Sequence, residues 1–236
     1  MTDDAAVLTV HGPGKRSDRL EMVFLDIGGV LYDDSIYARS WERALRELGA
    51  TFSDQEFDDE YRAARAAQSG SFRRRLTERF LPEADFAAVE EVAGRYWAYP
   101  SEALLPDVKP CLHALAGRYR LGIVANQPAH VRQAMKRDGV DEFFEVWGVS
   151  GDVGIEKPDP RLFAHVLYVA GVPPPRAAMV GDRLDYDVRP ARAAGMKAVW
   201  VLRGEAPDEP TSEQLQEPDA CIRSLGELPS ILEQLG

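Results

Sequence analysis

The stretch Val23-Phe24-Leu25-Asp26-Ile27-Gly28-Gly29-Val30-Leu31 restricts the possible folds more than any other part of the chain. Met22 to Leu25 is apolar without alternation, which a strand tolerates only when both of its faces are covered, as in the interior of a parallel sheet. The run ends in a carboxylate and two glycines follow, so the strand delivers Asp26 to the rim of a sheet and the backbone then turns tightly. Asp26 is therefore the first candidate for a catalytic residue. An Asp before Gly can also serve only to cap a turn, so the rest of the chain has to separate the two roles.

After the Tyr32-Asp33-Asp34-Ser35 turn, where Asp34 or Ser35 is expected to cap a helix, the periodicity is helical to about Pro100. Trp41, Leu45 and Leu48 share a face. Ser53 and Glu56 form a capping box, and Phe57 and Tyr61 continue the next helix. Phe72, Leu76 and Phe80 recur at intervals of four, and Phe86, Val89, Val92 and Tyr96 share another face. This predicts four helices and no strand. Pro100, Pro106 and Pro110 mark the exit, with residues 99–109 as the return linker.

Beyond the linker, helices expected over 112–119, 130–138, 161–170 and 188–194 alternate with strands over 121–125, 145–149, 177–180 and 198–202. Asp159 is the cap and Pro160 the first residue of the third of these helices. Residues 203–219, rich in Glu, Pro and Asp, read as a solvated loop, 222–235 as a short terminal element and 1–19 as a mobile tail. Strand–helix alternation implies right-handed crossovers and a Rossmann-like parallel sheet. The expected class is α/β, with a core over 20–33 and 104–236 and an inserted all-helical unit over 34–103.

In such sheets ligands bind beyond the carboxyl ends of the strands. Asp26, Asn126 and Asp182 each follow a strand directly, so the fold would bring them to one rim. The segment Gly181-Asp182-Arg183-Leu184-Asp185-Tyr186-Asp187 adds further carboxylates, and a set of oxygen donors without Cys or His suits a hard cation such as Mg²⁺. Lys157, one of only five lysines among 28 basic residues, opens a helix at the same end. An ammonium there would offset the repulsion between carboxylates and hold an incoming phosphate.

The net charge of −11 argues against a nucleic-acid-binding surface, and no apolar run reaches the ~20 residues of a membrane span. Cys111 and Cys221 are far apart, with neither zinc spacing nor a disulfide framework, so a reducing cytoplasm is the expected location.

Asp26 followed by Gly29-Val30-Leu31, the strand ending in Ala125-Asn126, Lys157-Pro158-Asp159-Pro160 and Gly181-Asp182 with Asp187 resemble the four ordered motifs of the haloacid dehalogenase (HAD) superfamily. The helical insertion resembles that family's C1 cap. The resemblance implies a Mg²⁺-dependent phosphohydrolase acting on a small phosphorylated metabolite, as a monomer or homodimer. Asp26 would form an aspartyl-phosphate. Asp26, the carbonyl of Gly28, Asp182 and, in support, Asp187 would hold Mg²⁺. Lys157 would clamp nucleophile and phosphate, and Asn126 would contact the substrate together with nearby backbone amides.

Two positions depart from that pattern. Gly28 stands where family phosphatases usually carry a second Asp that protonates the leaving group, a loss that typically costs about 10²- to 10⁴-fold in rate. Ala125 stands where Ser or Thr usually binds phosphate. Three explanations follow: a slow phosphatase or one restricted to good leaving groups; a dehalogenase-type or carbon–phosphorus hydrolase; or a non-enzyme that binds a phosphorylated ligand or a partner through Phe72-Arg73-Arg74-Arg75-Leu76. The retained Asp182 and Asp187 speak against the dehalogenase, and the lack of any lysine from Asp33 to Val108 against Schiff-base chemistry. Asp33 or Asp34 is a candidate substitute acid, although Asp in a turn is usually structural.

Overall fold

The computed structural model of the protein describes residues 19–97 and 99–236. Apart from Arg19, the tail expected over 1–19 lies outside the described residues. Strands β1 (Met22–Leu25), β2 (Arg120–Ala125), β3 (Val146–Val149), β4 (Ala177–Gly181), β5 (Lys197–Val201) and β6 (Ala220–Ile222) form one sheet in the order β3-β2-β1-β4-β5-β6. Every neighbouring pair is parallel. The chain leaves β1 toward β2 and β3, then returns to the other side of β1 with β4, so the order reverses between β1 and β4. A crevice at that reversal is where such sheets bind ligands. In register, Leu25 lies opposite both Ile123 and Val180, which brings Asp26 level with the ends of β2 and β4.

The lack of alternation in β1 is explained by burial on both faces. Val23 and Leu25 pack with Leu112, Met135, Leu228 and Leu232 of helices α5 (Val108–Leu115), α6 (Val131–Arg137) and α11 (Leu228–Leu235). Met22 and Phe24 pack on the other side with Leu162, Phe163 and Val166 of α8 (Pro160–Ala170) and Ala191 of α9 (Arg189–Ala193). Each such side chain contributes ~1.5–3 kcal/mol when fully buried. Asp159 caps α8 by accepting from the Arg161 amide, with Pro160 at the first helical position, as expected.

Between β1 and α5 run α1 (Ser35–Glu47), α2 (Asp54–Ala67), α3 (Phe72–Phe80) and α4 (Phe86–Tyr96). They enclose an apolar core of their own around Trp41, Leu45, Phe57, Leu76 and Val89. The Ser53–Glu56 capping box is formed in both directions. Leu48, expected on the buried face of α1, follows its last residue and is 38% exposed. Gln68, at φ 45° and almost wholly buried, joins these helices to the sheet: its Nε2 donates to the carbonyl of Glu205, and its Oε1 accepts from the Leu184 amide at 2.8 Å.

Three expectations need correction. Helix α5 starts at Val108 rather than 112, because Pro110 falls in the first turn, where a missing N–H breaks no intrahelical bond. The chain turns away after Leu115 through Gly117 at φ 81°, ahead of the expected end at 119. Residues 203–219 are not simply a solvated loop: Glu205 and Ala206 are buried, α10 (Ser212–Gln216) carries a Thr211–Gln214 capping box, and β6 follows at once. Further short elements include α7 (Ser150–Val153) and a turn of π-helix over Leu184–Val188. Among the described residues no helix is long and apolar enough to cross a membrane.

Candidate active site

The ends of β1, β2 and β4 meet the helical unit at a cavity of about 470 Å³. Asp26, Asn126, Lys157, Asp182 and Asp187 all line it, so residues distant in sequence converge as their positions after strands suggest. Asp26 is fixed by its own amide donating to the Val180 carbonyl at 2.9 Å. Its Oδ1 accepts from the Ile27 amide at 2.8 Å and from Lys157 Nζ at 2.9 Å. Burial pushes its carboxyl up to about 7 against the opposing pull of Lys157.

Lys157 is 3% exposed and its ammonium also reaches Asp187 Oδ1 at 2.6 Å. Burial works against that charge, but Asp187 and Asp26 outweigh it and hold the amine protonated. An ammonium has three donors. Among the described residues two of these meet carboxylates, which leaves the third for a ligand. Asp187 is fully buried and its Oδ2 accepts from the Arg183 amide at 3.0 Å. Asp182 Oδ2 accepts from the Glu205 amide at 2.7 Å, and burial, followed by Asp34 and Asp26, raises its carboxyl well above the usual range.

Carboxylate oxygens of Asp26, Asp182 and Asp187 all lie within 4.8 Å of one another. Beside them Gly28 is buried, and neither its N–H nor its C=O has a partner among the described residues. Oxygen donors alone, clustered at the floor of an open cavity, fit a hard divalent cation. Such a cation would reverse the mutual destabilisation of these anions. The turn that presents Gly28 depends on Gly29, at φ 65°, where a Cβ would run into Asp182 Oδ2.

Asn126 has its carboxamide joined to the Lys157 backbone: Oδ1 accepts from Lys157 N at 2.7 Å, and Nδ2 donates to the Lys157 carbonyl at 2.9 Å. One N–H of Nδ2 is left over for a ligand. Ala125 is fully buried in the sheet core.

Sequence reasoning missed one acid of the cavity, Glu205, and named a second, Asp34, only beside Asp33 as a substitute acid. Glu205, placed in a solvated loop by its composition, is buried and pairs with Arg183 at 2.7 Å. Asp34, although it stands at the cap position of α1, makes no side-chain cap hydrogen bond and lines the cavity instead. Burial, Glu205 and Asp26, in that order, raise its carboxyl well above the usual range. Of the arginine run, Arg73 lines the cavity and contacts Tyr37 Oη at 3.1 Å and Glu90 at 2.8 Å, while Arg75 pairs with Glu60.

A family model for haloacid dehalogenase-like hydrolase matches residues 20–195. The chain is 38% identical over 196 residues to a phosphoserine phosphatase of Thermus thermophilus, covering 78% of this chain and 73% of the relative. It is 32% identical over 231 residues to a glyceraldehyde 3-phosphate phosphatase of Methanopyrus kandleri, covering 92% and 98%. In fold it is similar to the crystal structure of a predicted phosphoglycolate phosphatase from Haemophilus somnus, at TM-score 0.74 and 21% identity over 92% of this chain and 99% of the other.

Proposed function

The chain belongs to the haloacid dehalogenase-like hydrolase family, and from that premise we propose that it is a Mg²⁺-dependent phosphatase of a small phosphorylated metabolite. In this reading residues 34–103 form a C1-type helical cap over a core of 20–33 and 104–236. The single observation that carries it is the Asp26 carboxylate, held on one oxygen by Ile27 N–H and Lys157 Nζ beside Asp182 and Asp187 at a cavity floor. Phosphatase relatives named for phosphoserine and glyceraldehyde 3-phosphate support a small substrate. So does the cavity of about 470 Å³, an ordinary size for a small-molecule site.

Asp26, Asp182, the Gly28 carbonyl and, in support, Asp187 would hold Mg²⁺, which when bound neutralises charge on a transferring phosphoryl group. Asp26 attacks phosphorus, the ester P–O bond breaks, and an aspartyl-phosphate forms. Lys157 draws Asp26 toward its ionised form against the effect of burial, and would give its third N–H to a phosphoryl oxygen. The Gly28 amide, without a partner among the described residues, and the spare N–H of Asn126 would serve the others. Water then attacks phosphorus, the Asp26–phosphoryl bond breaks, and inorganic phosphate leaves.

A steady-state assay with para-nitrophenyl phosphate and acetyl phosphate in Mg²⁺ tests this. Turnover abolished by Asp26→Asn and by EDTA is expected. Saturable phosphate binding without turnover across a panel of metabolites would replace the phosphatase with a ligand-binding protein.

A further inference from the structure

With Gly28 lacking a side chain, the proposed reaction has no obvious group to protonate the leaving oxygen. We infer that Asp34 is that group, supplied from the start of α1. This rests on the phosphatase reading of the site.

The argument is one of position. A Cβ built on Gly28 would meet both carboxylate oxygens of Asp34 at 2.6 Å and its Cγ at 2.9 Å. The Asp34 carboxylate therefore fills the space that a side chain two residues after the nucleophile would enter. It lines the same cavity as Asp26 and Lys157.

The ordinary structural duties of an Asp at this place are carried out by others. Asp33 closes the turn, accepting from the Ser35 amide and from Ser35 Oγ, each at 2.9 Å. The Asp34 backbone starts α1, its carbonyl accepting from the amides of Tyr37 and Ala38. Its carboxylate accepts no hydrogen bond from any described residue and forms no ion pair among them. A carboxylate anchored by its backbone, turned toward Gly28 in the cavity that Asp26 also lines and without a partner among the described residues, is available to a ligand.

In the first step Asp26 attacks phosphorus, the ester P–O bond breaks, and the Asp34 carboxyl gives its proton to the departing oxygen, so the product leaves as a neutral alcohol. In the second, the Asp34 carboxylate takes a proton from the attacking water. The new P–O bond forms, the Asp26–phosphoryl bond breaks, and inorganic phosphate and the carboxyl of Asp34 are regenerated. No further reactant is needed.

The test compares two esters in pre-steady-state experiments with substrate in excess and Mg²⁺ present, which read the first turnover and the later ones separately. Para-nitrophenyl phosphate needs little help with its leaving group, whereas an alkyl phosphate such as glycerol 3-phosphate needs a proton. In Asp34→Asn the first turnover of the alkyl ester should fall by about 10²- to 10⁴-fold, the usual worth of a general acid. The first release of para-nitrophenol should fall by less than tenfold, and the later turnovers, which need the base, should slow. Rescue supplies the second variant. Gly28 has an ordinary backbone conformation open to other residues, so Gly28→Asp combined with Asp34→Ala should recover alkyl-ester turnover. Gly28→Asp alone, crowded by Asp34, should not gain.

Equal loss on both esters, or a weakened Mg²⁺ requirement in Asp34→Asn, would assign Asp34 to the cation or to the fold and overturn the inference. Wild-type alkyl-ester turnover in Asp34→Asn would overturn it as well, leaving the phosphatase reading intact. No turnover of any ester by the wild-type protein would overturn both.

Discussion

Replacing Lys157 by Met removes an ammonium that touches both Asp26, at 2.9 Å, and Asp187, at 2.6 Å. The side chains of Lys157 and Asp187 are 2% and 1% exposed, so solvent cannot take over the screening. Removing one partner of a buried pair typically costs about 3–5 kcal/mol, because the other charge is stranded. At about 2–4 °C per kcal/mol for a chain of this size, the melting temperature should drop by about 6–20 °C. The loss should depend on pH in a defined direction. Without the lysine the Asp26 carboxyl, already raised by burial, resists ionisation further in the folded state, so the deficit should grow as pH rises from acid to neutral and shrink in acid. Urea unfolding and thermal melts in EDTA, from acid to neutral pH, measure it. Mg²⁺ at 100 times its dissociation constant should return about 2.7 kcal/mol. A loss below about 1 kcal/mol, the range of an exposed pair, and with no trend in pH would refute the reasoning.

Gly29→Ala should cost about 1–3 kcal/mol from the left-handed backbone alone. It should also abolish the Mg²⁺-induced rise in melting temperature, since its Cβ would displace Asp182. Gln68→Ala should cost about 1–3 kcal/mol in urea unfolding by stranding the Leu184 amide, with faster hydrogen exchange at that amide. Burial pushes the Asp138 carboxyl up, but donors from Arg137, Ser101 and Tyr32 outweigh it and hold it below the usual range. Its contribution is therefore present above the unfolded value and lost as pH falls through the folded one. Asp138→Asn should be less stable than wild type at neutral pH by about 1.5–3 kcal/mol in urea unfolding, the worth of hydrogen bonds to a charged group. The gap should close below about pH 4.

Much of the fold was readable because local signals and burial agreed. The apolar run of β1, the Ser53–Glu56 box and the Asp159-Pro160 start of α8 each specify one conformation from a few adjacent residues. The convergence of Asp26, Asn126, Lys157, Asp182 and Asp187 was readable for the same reason, since each follows a recognisable strand or opens a helix. Features set by distant partners were not. Glu205 lies in a segment whose composition reads as solvated, and only its meeting with Arg183 and Gln68 buries it. β6 has three residues, too few for a period, and its pairing with β5 defines it. At Asp33 and Asp34 the sequence left open which one is structural and which could serve as an acid, whereas the structure gives the turn to Asp33 and sends Asp34 into the cavity.

The covalent state of Asp26 is the most direct test of the proposed chemistry. Protein mixed with acetyl phosphate and Mg²⁺, quenched in acid within one turnover and analysed by peptide mass spectrometry, should carry one phosphoryl group on Asp26. The same treatment of Asp26→Asn should leave that peptide unmodified. Steady release of phosphate from a protein whose Asp26 never carries the label would contradict the mechanism.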